Sequence, residues 1–171
     1  MSDIVTARLF LRPITAEEVS AVLLGRRRSD WAADFPTEGD QVIARLLART
    51  GLPTDEEAFR FGHRLVLERD TGTVVGGIGF FGPPQDGEVE IGYGIVPSRQ
   101  RRGYATEAVQ AMVADILQLD AVQAVIANVD LDNPASIRVL EKSGMMLGAR
   151  REEQATYHIR RADRANPRGG S

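Results

Sequence analysis

The chain has 171 residues, 43% of them apolar, so it can bury the core of one domain and is not disordered throughout. Its formal net charge of −3 creates no overall field that would attract nucleic acid or a membrane surface. It has no cysteine, which excludes disulfides, thiolate metal sites and a cysteine nucleophile, and no apolar run of membrane-spanning length. We therefore expect a cytoplasmic protein that works without a metal, a nucleic acid or a membrane.

The first part of the chain predicts one strand and two helices. Residues 6–12 alternate in polarity and stop at Pro13, as a strand does. Thr15 and Glu18 form a capping box that starts a helix ending near residue 24. A second helix is expected over residues 40–49. The segment before it carries Trp31 and Phe35, which either pin a loop to the core or cover a binding site.

A hairpin is predicted next, with strands over residues 59–69 and 74–81. His63 lies on the apolar face of the first strand. A lone histidine there is more often a packed residue than a catalytic base, and we interpret it so. The glycine-rich run over residues 76–79 has no GK[ST] ending and no helix after it, so it is not a phosphate loop. Glycines inside a strand indicate a bulge or a close approach of another group.

The most informative stretch, residues 88–119, predicts a strand, a basic turn and a long helix. The strand stops at Pro97, and the turn carries Arg99, Arg101 and Arg102 beside Gly103. The helix is one-sided, with apolar residues at positions 105, 108, 109, 112, 113, 116 and 117. The first N–H groups of a helix are unpaired, so a glycine and arginines beside them favour an anion such as a phosphate. The alternative is a solvated basic turn that only caps the helix.

The last part of the chain predicts a strand, a helix and two closing strands. The strand covers residues 121–131, and the helix begins after Asn133 with Pro134 in its first turn and stops at Gly144. The closing strands cover residues 146–153 and 155–161. No linker or repeat divides the chain. We expect one domain over residues 1–163 and a flexible tail over residues 164–171.

Several of these segments resemble one known family. Residues 100–105, QRRGYA, resemble the Q/R-x-x-G-x-G/A signature of the GNAT family, the GCN5-related N-acetyltransferases. The R-L-F-L-R-P opening at residues 8–13 and the residues around the signature resemble its RimJ/RimL-type branch. The segment over residues 133–145 is similar to the family's second motif, except that Met145 stands where phenylalanine is usual.

The resemblance implies a fold of the α/β (α+β) class. A single GNAT-like domain would contain a mixed, mostly antiparallel sheet of about seven strands with flanking helices. The two strands on either side of the long helix would form the central parallel pair, since a strand–helix–strand crossover favours that geometry. In the family these strands splay apart into a V-shaped slot that holds acetyl-CoA.

The resemblance also implies the residues that hold the cofactor. The pyrophosphate and the adjacent part of acetyl-CoA would contact the turn and the start of the helix, which are Arg101, Arg102, Gly103, Tyr104, Ala105 and Thr106. Backbone N–H groups near Gly94, Ile95 and Val96 would polarise the thioester carbonyl. Asn133 would fix the pantetheine arm.

The candidate for the catalytic base is Glu90. It shares a strand face with Glu88 and lies nearer the slot, so a water between it and the amine could relay the proton. The competing interpretation is a strand carboxylate paired with one of the many arginines. Glu153 on the closing strands is a second candidate.

The candidate for the catalytic acid is Ser136. Many family members place a tyrosine seven residues after the asparagine, but that position is Leu140 here. The RimJ/RimL-like branch instead has a serine three residues after the asparagine, which corresponds to Ser136. Its hydroxyl could assist the departing thiolate, or it could only satisfy backbone groups in the first helical turn. Tyr93 and Tyr157 are further candidates.

The predicted function is an acetyl-CoA-dependent N-acetyltransferase. It would transfer an acetyl group to a primary amine, on a protein N-terminus or a small molecule, by direct attack on the thioester. One alternative is a resistance-type transferase for small molecules, for which an acidic acceptor cavity would favour a polycationic substrate. The other is a non-catalytic acyl-CoA-binding module, motivated by the missing tyrosine. A homodimer is the default expectation for the oligomeric state.

Overall fold

The alternating strand and helix patterns produce one sheet with helices on both faces. Within residues 2–165, which the computed structural model describes, the chain forms eight strands and six α-helices. The strands are β1 Ile4–Val5, β2 Leu9–Pro13, β3 His63–Glu68, β4 Val74–Phe80, β5 Glu88–Ile95, β6 Ala124–Asp130, β7 Met146–Arg150 and β8 Gln154–Arg160. The helices are α1 Ala16–Leu23, α2 Glu38–Thr50, α3 Glu56–Arg60, α4 Tyr104–Ile116, α5 Pro134–Lys142 and α6 Arg161–Ala165.

The sheet is mixed and mostly antiparallel, as predicted, and its strand order is β1-β2-β3-β4-β5-β6-β8-β7. Among the pairs of described strands, only β5 and β6 run parallel, and α4 connects them. The sheet has eight strands where about seven were expected. The additional one is β1, a two-residue edge strand in which Ile4 pairs with Leu11 and Val5 with Phe10.

The parallel strands β5 and β6 separate after three residue pairs. They are in register at Glu88↔Ala124, Val89↔Val125 and Glu90↔Ile126. From Ile91 onward, β5 keeps its antiparallel partner β4 but has no paired residue on β6. The predicted V-shaped splay is therefore confirmed. It leaves backbone groups along one edge of β5 facing an open slot, and such groups need a hydrogen-bond partner.

Helices cover both faces of this sheet. On one face α4 buries the apolar stripe predicted by its spacing, including Val109, Met112 and Ile116. On the other face α1 and α2 pack against each other, and the carboxylate of Asp40 in α2 faces Gly77 of β4. The slot is therefore bordered by different helices on its two sides.

The strand predicted over residues 59–69 was wrong in its first part. Phe59 lies in the short helix α3, and Phe61 directly follows it. The N-cap Asp55 starts this helix by accepting a hydrogen bond of 2.8 Å from the Ala58 N–H. Phe59 and Phe61, two positions apart, resemble the alternation of a strand. The Asp55 cap instead favours the hydrogen bonds of a helical turn. β3 begins only at His63.

The other boundaries differ from the predictions by a few residues. The helix α2 begins at Glu38 because Thr37 and Asp40 form a capping box, a signal that the sequence interpretation did not use. Of the tail predicted over residues 164–171, the first two residues belong to α6, and residues 166–171 lie outside the described part of the chain.

We expect Gly76→Ala to destabilise the fold. A Cβ at Gly76 would collide with the carbonyl oxygen of Gly94 on the neighbouring strand, so backbone would have to move. The free energy of unfolding, measured by urea denaturation, should fall by about 2 kcal/mol or more.

The matched control is Gly94→Ala. A Cβ on Gly94 meets no protein atom within 4 Å, so the free energy of unfolding of this variant should lie within about 1 kcal/mol of that of the parent chain. Equal stability of the two variants would show that the close approach of Gly94 to Gly76 does not constrain the strand.

Candidate active site

A cleft of about 510 Å³ opens where β5 and β6 have separated. Its walls come from the end of β5, the basic turn, the start of α4 and the first turns of α5. Ten of the residues named as candidates for the site line it: Tyr93, Gly94, Ile95, Arg101, Gly103, Tyr104, Ala105, Thr106, Asn133 and Ser136. The structure thus brings together two motifs about 30 residues apart in the sequence.

The basic turn has the backbone geometry of an anion site. Arg101 and Gly103 have left-handed backbone conformations, with φ of 62° and 80°, and a left-handed residue in a tight turn can direct N–H groups into one concavity. Gly103 is the N-cap of α4 and supplies no side-chain cap. The first intrahelical hydrogen bond runs from the Glu107 N–H to the Gly103 carbonyl. The N–H groups of residues 104–106 therefore remain available to a ligand.

Side chains hold this turn against the sheet. The Gln100 side-chain amide donates a hydrogen bond of 2.9 Å to the carbonyl of Ile95 at the end of β5. Arg99 forms an ion pair of 2.5 Å with Glu68, a buried carboxylate at the end of β3. These contacts couple the position of the turn to the edge of β5 that faces the slot.

Arg8 is a supporting residue that sequence reasoning missed. Its guanidinium donates hydrogen bonds of 2.7 Å to the Arg102 carbonyl and of 2.8 Å to the Glu107 carboxylate. The same guanidinium stacks on the Tyr104 ring, 4.8 Å from the ring centre. Burial alone would raise the pKa of Glu107, but hydrogen bonds from Thr6 and Arg8 and the charge of Arg8 lower it. The sequence signal for Arg8 is its place at the start of the R-L-F-L-R-P opening, which by itself does not show that the guanidinium contacts the turn.

Two predicted cofactor residues do not line the cleft. The side chain of Arg102 lies outside it, and this residue instead contributes the carbonyl that Arg8 binds. Val96 is fully buried, and its N–H donates 2.9 Å to the carbonyl of Val75, so that N–H is not free to polarise a thioester. Gly94 and Ile95 do line the cleft.

The start of α5 contributes a polar cluster to the opposite wall. Asn133 is the N-cap, and its Oδ1 accepts a hydrogen bond of 3.1 Å from the Ser136 N–H. The hydroxyls of Ser136 and Tyr93 lie 2.8 Å apart. Burial raises the pKa of Tyr93 more than its hydrogen bond with Ser136 lowers it, so the phenol stays protonated at neutral pH. The pair can donate a proton into the cleft.

The remaining catalytic candidates lie elsewhere. Glu90 accepts a hydrogen bond of 3.0 Å from the Asn128 side-chain amide and lines neither the cleft nor the second cavity described below. The Tyr157 hydroxyl contacts the Glu141 carboxylate at 3.3 Å, also outside both cavities. Glu153 is exposed in the connection between β7 and β8. Its backbone carbonyl accepts a hydrogen bond from Leu131.

A second cavity of about 340 Å³ lies on the other face of the sheet, below α1 and α2. Its walls are mainly apolar, with Phe35, Ile43 and Phe81 among them, and it shares Tyr93 and Gly94 with the cleft. Burial lowers the pKa of His63 in its wall to about 4, so this imidazole is neutral at pH 7. The middle of β5 therefore forms part of the wall of both cavities.

A family model described as Acetyltransferase (GNAT) domain matches residues 8–146. The chain belongs to this family. Among its relatives is the uncharacterised N-acetyltransferase YoaA of Bacillus subtilis, which is 30% identical over 144 residues, covering 81% of this chain and 80% of that protein. The N-acetyltransferase YjdG of the same organism, also uncharacterised, is 34% identical over 94 residues. That alignment covers 54% of this chain and 56% of YjdG.

Solved structures of GNAT enzymes share this fold. One is a spermidine N-acetyltransferase from Vibrio cholerae in complex with CoA and spermine, with a TM-score of 0.66. The alignment covers 94% of this chain and 100% of that one. At 12% identity this likeness concerns the fold alone. Membership of the GNAT family implies use of an acyl-CoA. Among the described helices, none combines the length and apolarity needed to cross a bilayer.

We expect Gly103→Glu to abolish acetyl-CoA binding. The new carboxylate would lie beside the helix start, where it repels phosphates, and its Cβ would press on the Arg8 guanidinium, 3.2 Å away. Calorimetric titration should show an affinity loss of at least about 100-fold, on the scale of a lost charge-assisted contact.

The matched control is Gly25→Glu. Gly25 also has a left-handed φ, of 64°, and its Cβ would meet nothing within 4 Å. This variant carries the same backbone strain and the same charge outside the cleft, so it should bind acetyl-CoA like the parent chain. Unchanged affinity in Gly103→Glu would place the phosphate site elsewhere.

Proposed function

We propose that this GNAT protein transfers the acetyl group of acetyl-CoA to a primary amine by direct attack on the thioester. The observation that carries the proposal is the meeting of two cavities at Tyr93 and Gly94. One contains an anion-binding turn, and the other is a chamber with mainly apolar walls. A reaction between an anionic cosubstrate and an amine needs both, with the reacting atoms brought together where they join.

Acetyl-CoA supplies an activated acetyl thioester. In the proposal, the turn and the first N–H groups of α4 bind its phosphates, with Arg101 adding positive charge. Asn133 would contact the pantetheine arm. This is supported by its position in the cleft lining and by its amide nitrogen, which has no partner among the described residues. The β5 edge at Gly94 and Ile95 lies at the splay, where backbone donors can stabilise negative charge developing on the carbonyl oxygen.

The hydroxyl pair of Tyr93 and Ser136 is proposed to protonate the departing sulfur. Many family members have a tyrosine at the position of Leu140, but Leu140 is buried and has no hydroxyl. In the proposal, the hydroxyl pair takes over the role of that tyrosine. This pair favours a catalytic protein over a module that only binds acyl-CoA. Glu90 stays a candidate for a water-mediated base. Its bond to Asn128 and its place outside both cavities do not support that role.

The proposal is tested by an assay that detects free CoA thiol over a panel of amines and short peptides. We expect thiol release that depends on both acetyl-CoA and a primary amine, with acetylated product identified by mass spectrometry. Tight acetyl-CoA binding with no thiol release above hydrolysis for every amine would instead favour the non-catalytic binding module.

We expect Ser136→Ala to lower kcat by about 10- to 100-fold with little change in KM for acetyl-CoA, the scale of losing an assisted proton transfer. The Ser136 N–H that caps onto Asn133 belongs to the backbone and survives the substitution. Tyr93→Phe should show a loss of similar size, and the double variant should lose little more, because the two hydroxyls act as one unit.

Ser20→Ala is the matched control, because Ser20 is exposed on α1 and lines neither cavity. It should retain the parent kcat. Fully additive losses in the Tyr93 and Ser136 double variant would contradict a shared proton donor.

A further inference from the structure

The glycine-rich run that is not a phosphate loop forms the floor of the second cavity. Gly77 of β4 is paired with Gly94 of β5, and Gly79 is paired with Gly92. Because side chains alternate across a strand, these four glycines lie on one face of the sheet. Any other residues would fill the space with two opposed pairs of side chains. The chamber of about 340 Å³ exists because this floor has none.

The atoms nearest to these glycines show which part of the floor is covered and which part is open. A Cβ at Gly79 would collide with His63, one at Gly92 with the Phe81 ring, and one at Gly77 would lie 3.0 Å from Oδ1 of Asp40. A Cβ at Gly94 would meet nothing within 4 Å. The floor is therefore occupied at one end by His63 and Phe81 and is open at Gly94, a residue that also lines the cleft.

Asp40 supplies a carboxylate oxygen above this floor. Its Oδ2 accepts hydrogen bonds of 2.8 and 2.7 Å from the N–H and hydroxyl of Thr37, whereas Oδ1 receives none from any residue in 2–165. No described cation forms an ion pair with it. Oδ1 lies over Gly77, and Gly77 is directly paired with Gly94. A group bound to Oδ1 is thus one strand away from the junction of the two cavities.

The charged groups that line the chamber favour a ligand with one positive charge. Besides Asp40, the described lining residues that titrate or carry charge are His63, Arg64 and Tyr93. His63 is neutral at pH 7, its Nε2 has no partner among the described residues, and the Tyr93 phenol is protonated. The Arg64 guanidinium donates to the carbonyls of Leu11 and Ser2. Asp40 is thus the one anionic side chain among these lining residues, and the positive charge of Arg64 further disfavours additional cations. This matches a monoamine with an apolar body and does not match a polycation.

We infer that this glycine-floored chamber is the acceptor subsite, that its substrates are primary monoamines on compact apolar bodies, and that Asp40 binds the ammonium and accepts its proton. The inference rests on the proposed function. In this step the proton moves from nitrogen to Oδ1, and the nitrogen lone pair forms the bond to the thioester carbon. The C–S bonding electrons leave with sulfur, which takes a proton from the pair of Tyr93 and Ser136. The attacking nitrogen loses its second proton to water to become the amide, and water returns a proton to the hydroxyl pair. Asp40 then returns its proton to water.

Burial supports the proton transfer to Asp40. It raises the pKa of this carboxyl more than the hydrogen bonds from Thr37 lower it, which makes Asp40 a stronger base than an exposed aspartate. Since the ionised form is required, kcat/KM should fall as the pH drops through this raised pKa. The acid limb of the profile should therefore lie above the usual range of an aspartate.

The experiment compares phenethylamine, an apolar monoamine, with spermidine, a polyamine, in the thiol-release assay. The parent protein should favour phenethylamine at least about tenfold in kcat/KM, as expected when one carboxylate faces two or more charges. Asp40→Asn should lower kcat/KM for phenethylamine by about 100-fold and remove the acid limb of the pH profile. Asparagine keeps an oxygen that can accept from Thr37, so the melting temperature should stay near that of the parent.

Two further variants separate the catalytic role from a structural one. Glu38→Gln removes one negative charge from the same helix turn at an exposed position, and it should change neither the pH profile nor the selectivity. Gly94→Ala should retain stability but lose activity with phenethylamine, because its methyl group projects into free space beside the glycine floor.

The outcomes distinguish this inference from the proposed function. Turnover of some amine, with spermidine preferred or with Asp40→Asn keeping the parent pH profile, overturns the acceptor assignment and leaves the transferase intact. Absence of turnover with every amine overturns the transferase itself, and the acceptor subsite falls with it.

Discussion

The separation of β5 from β6 after Glu90 is the constraint on which the rest of the site depends. Parallel strands joined by a helix normally stay paired, and here the pairing stops after three residues. The remainder of β5, through Ile95, keeps one partner and exposes its other edge to a slot. Unpaired backbone groups are costly when buried, so this arrangement is stable only if water or a ligand satisfies them. The GNAT family uses such an edge to hold an acyl-CoA, and the anion-binding turn follows directly from the same strand.

The turn requires support because its backbone is strained. Arg101 has a left-handed conformation that a residue with a Cβ adopts at an energetic cost. That cost is offset by contacts to three separate parts of the chain. Gln100 contacts β5, Arg99 contacts β3, and Arg8, just before β2, donates to the Arg102 carbonyl. A turn held in this way is preorganised, so little conformational freedom would be lost if it binds phosphates as proposed. Arg8 contacts both Arg102 and Tyr104 and so supports the turn at the start of α4.

Glycines shape the opposite side of the same strands. The pairs Gly77–Gly94 and Gly79–Gly92 remove side chains from one patch of the sheet, and α2 places Asp40 over that patch. The cofactor cleft and this chamber lie on different faces and meet where the strand pair opens. Proton transfer to Asp40 on one side and from the Tyr93–Ser136 pair on the other would then occur across a single strand. That arrangement separates the base from the acid and keeps each in a different electrostatic environment.

The sequence by itself determined the features that depend on near neighbours. The strand, basic turn and helix from residue 88 onward, the N-cap Asn133 and the anion site are set by residues a few positions apart, and the GNAT resemblance follows from the same short segments. Tertiary structure alone decided the contacts between distant residues. Arg8 reaches Arg102 across 94 positions and Tyr93 reaches Ser136 across 43, while Asp40 covers a glycine floor whose pairing depends on strand register. Glu90 and Asp40 are both carboxylates, and the sequence does not distinguish them as bases. Only the packing of α2 over β4 shows that Asp40 faces the chamber. Side-chain partners across a sheet depend on strand order and helix placement, which no local pattern encodes.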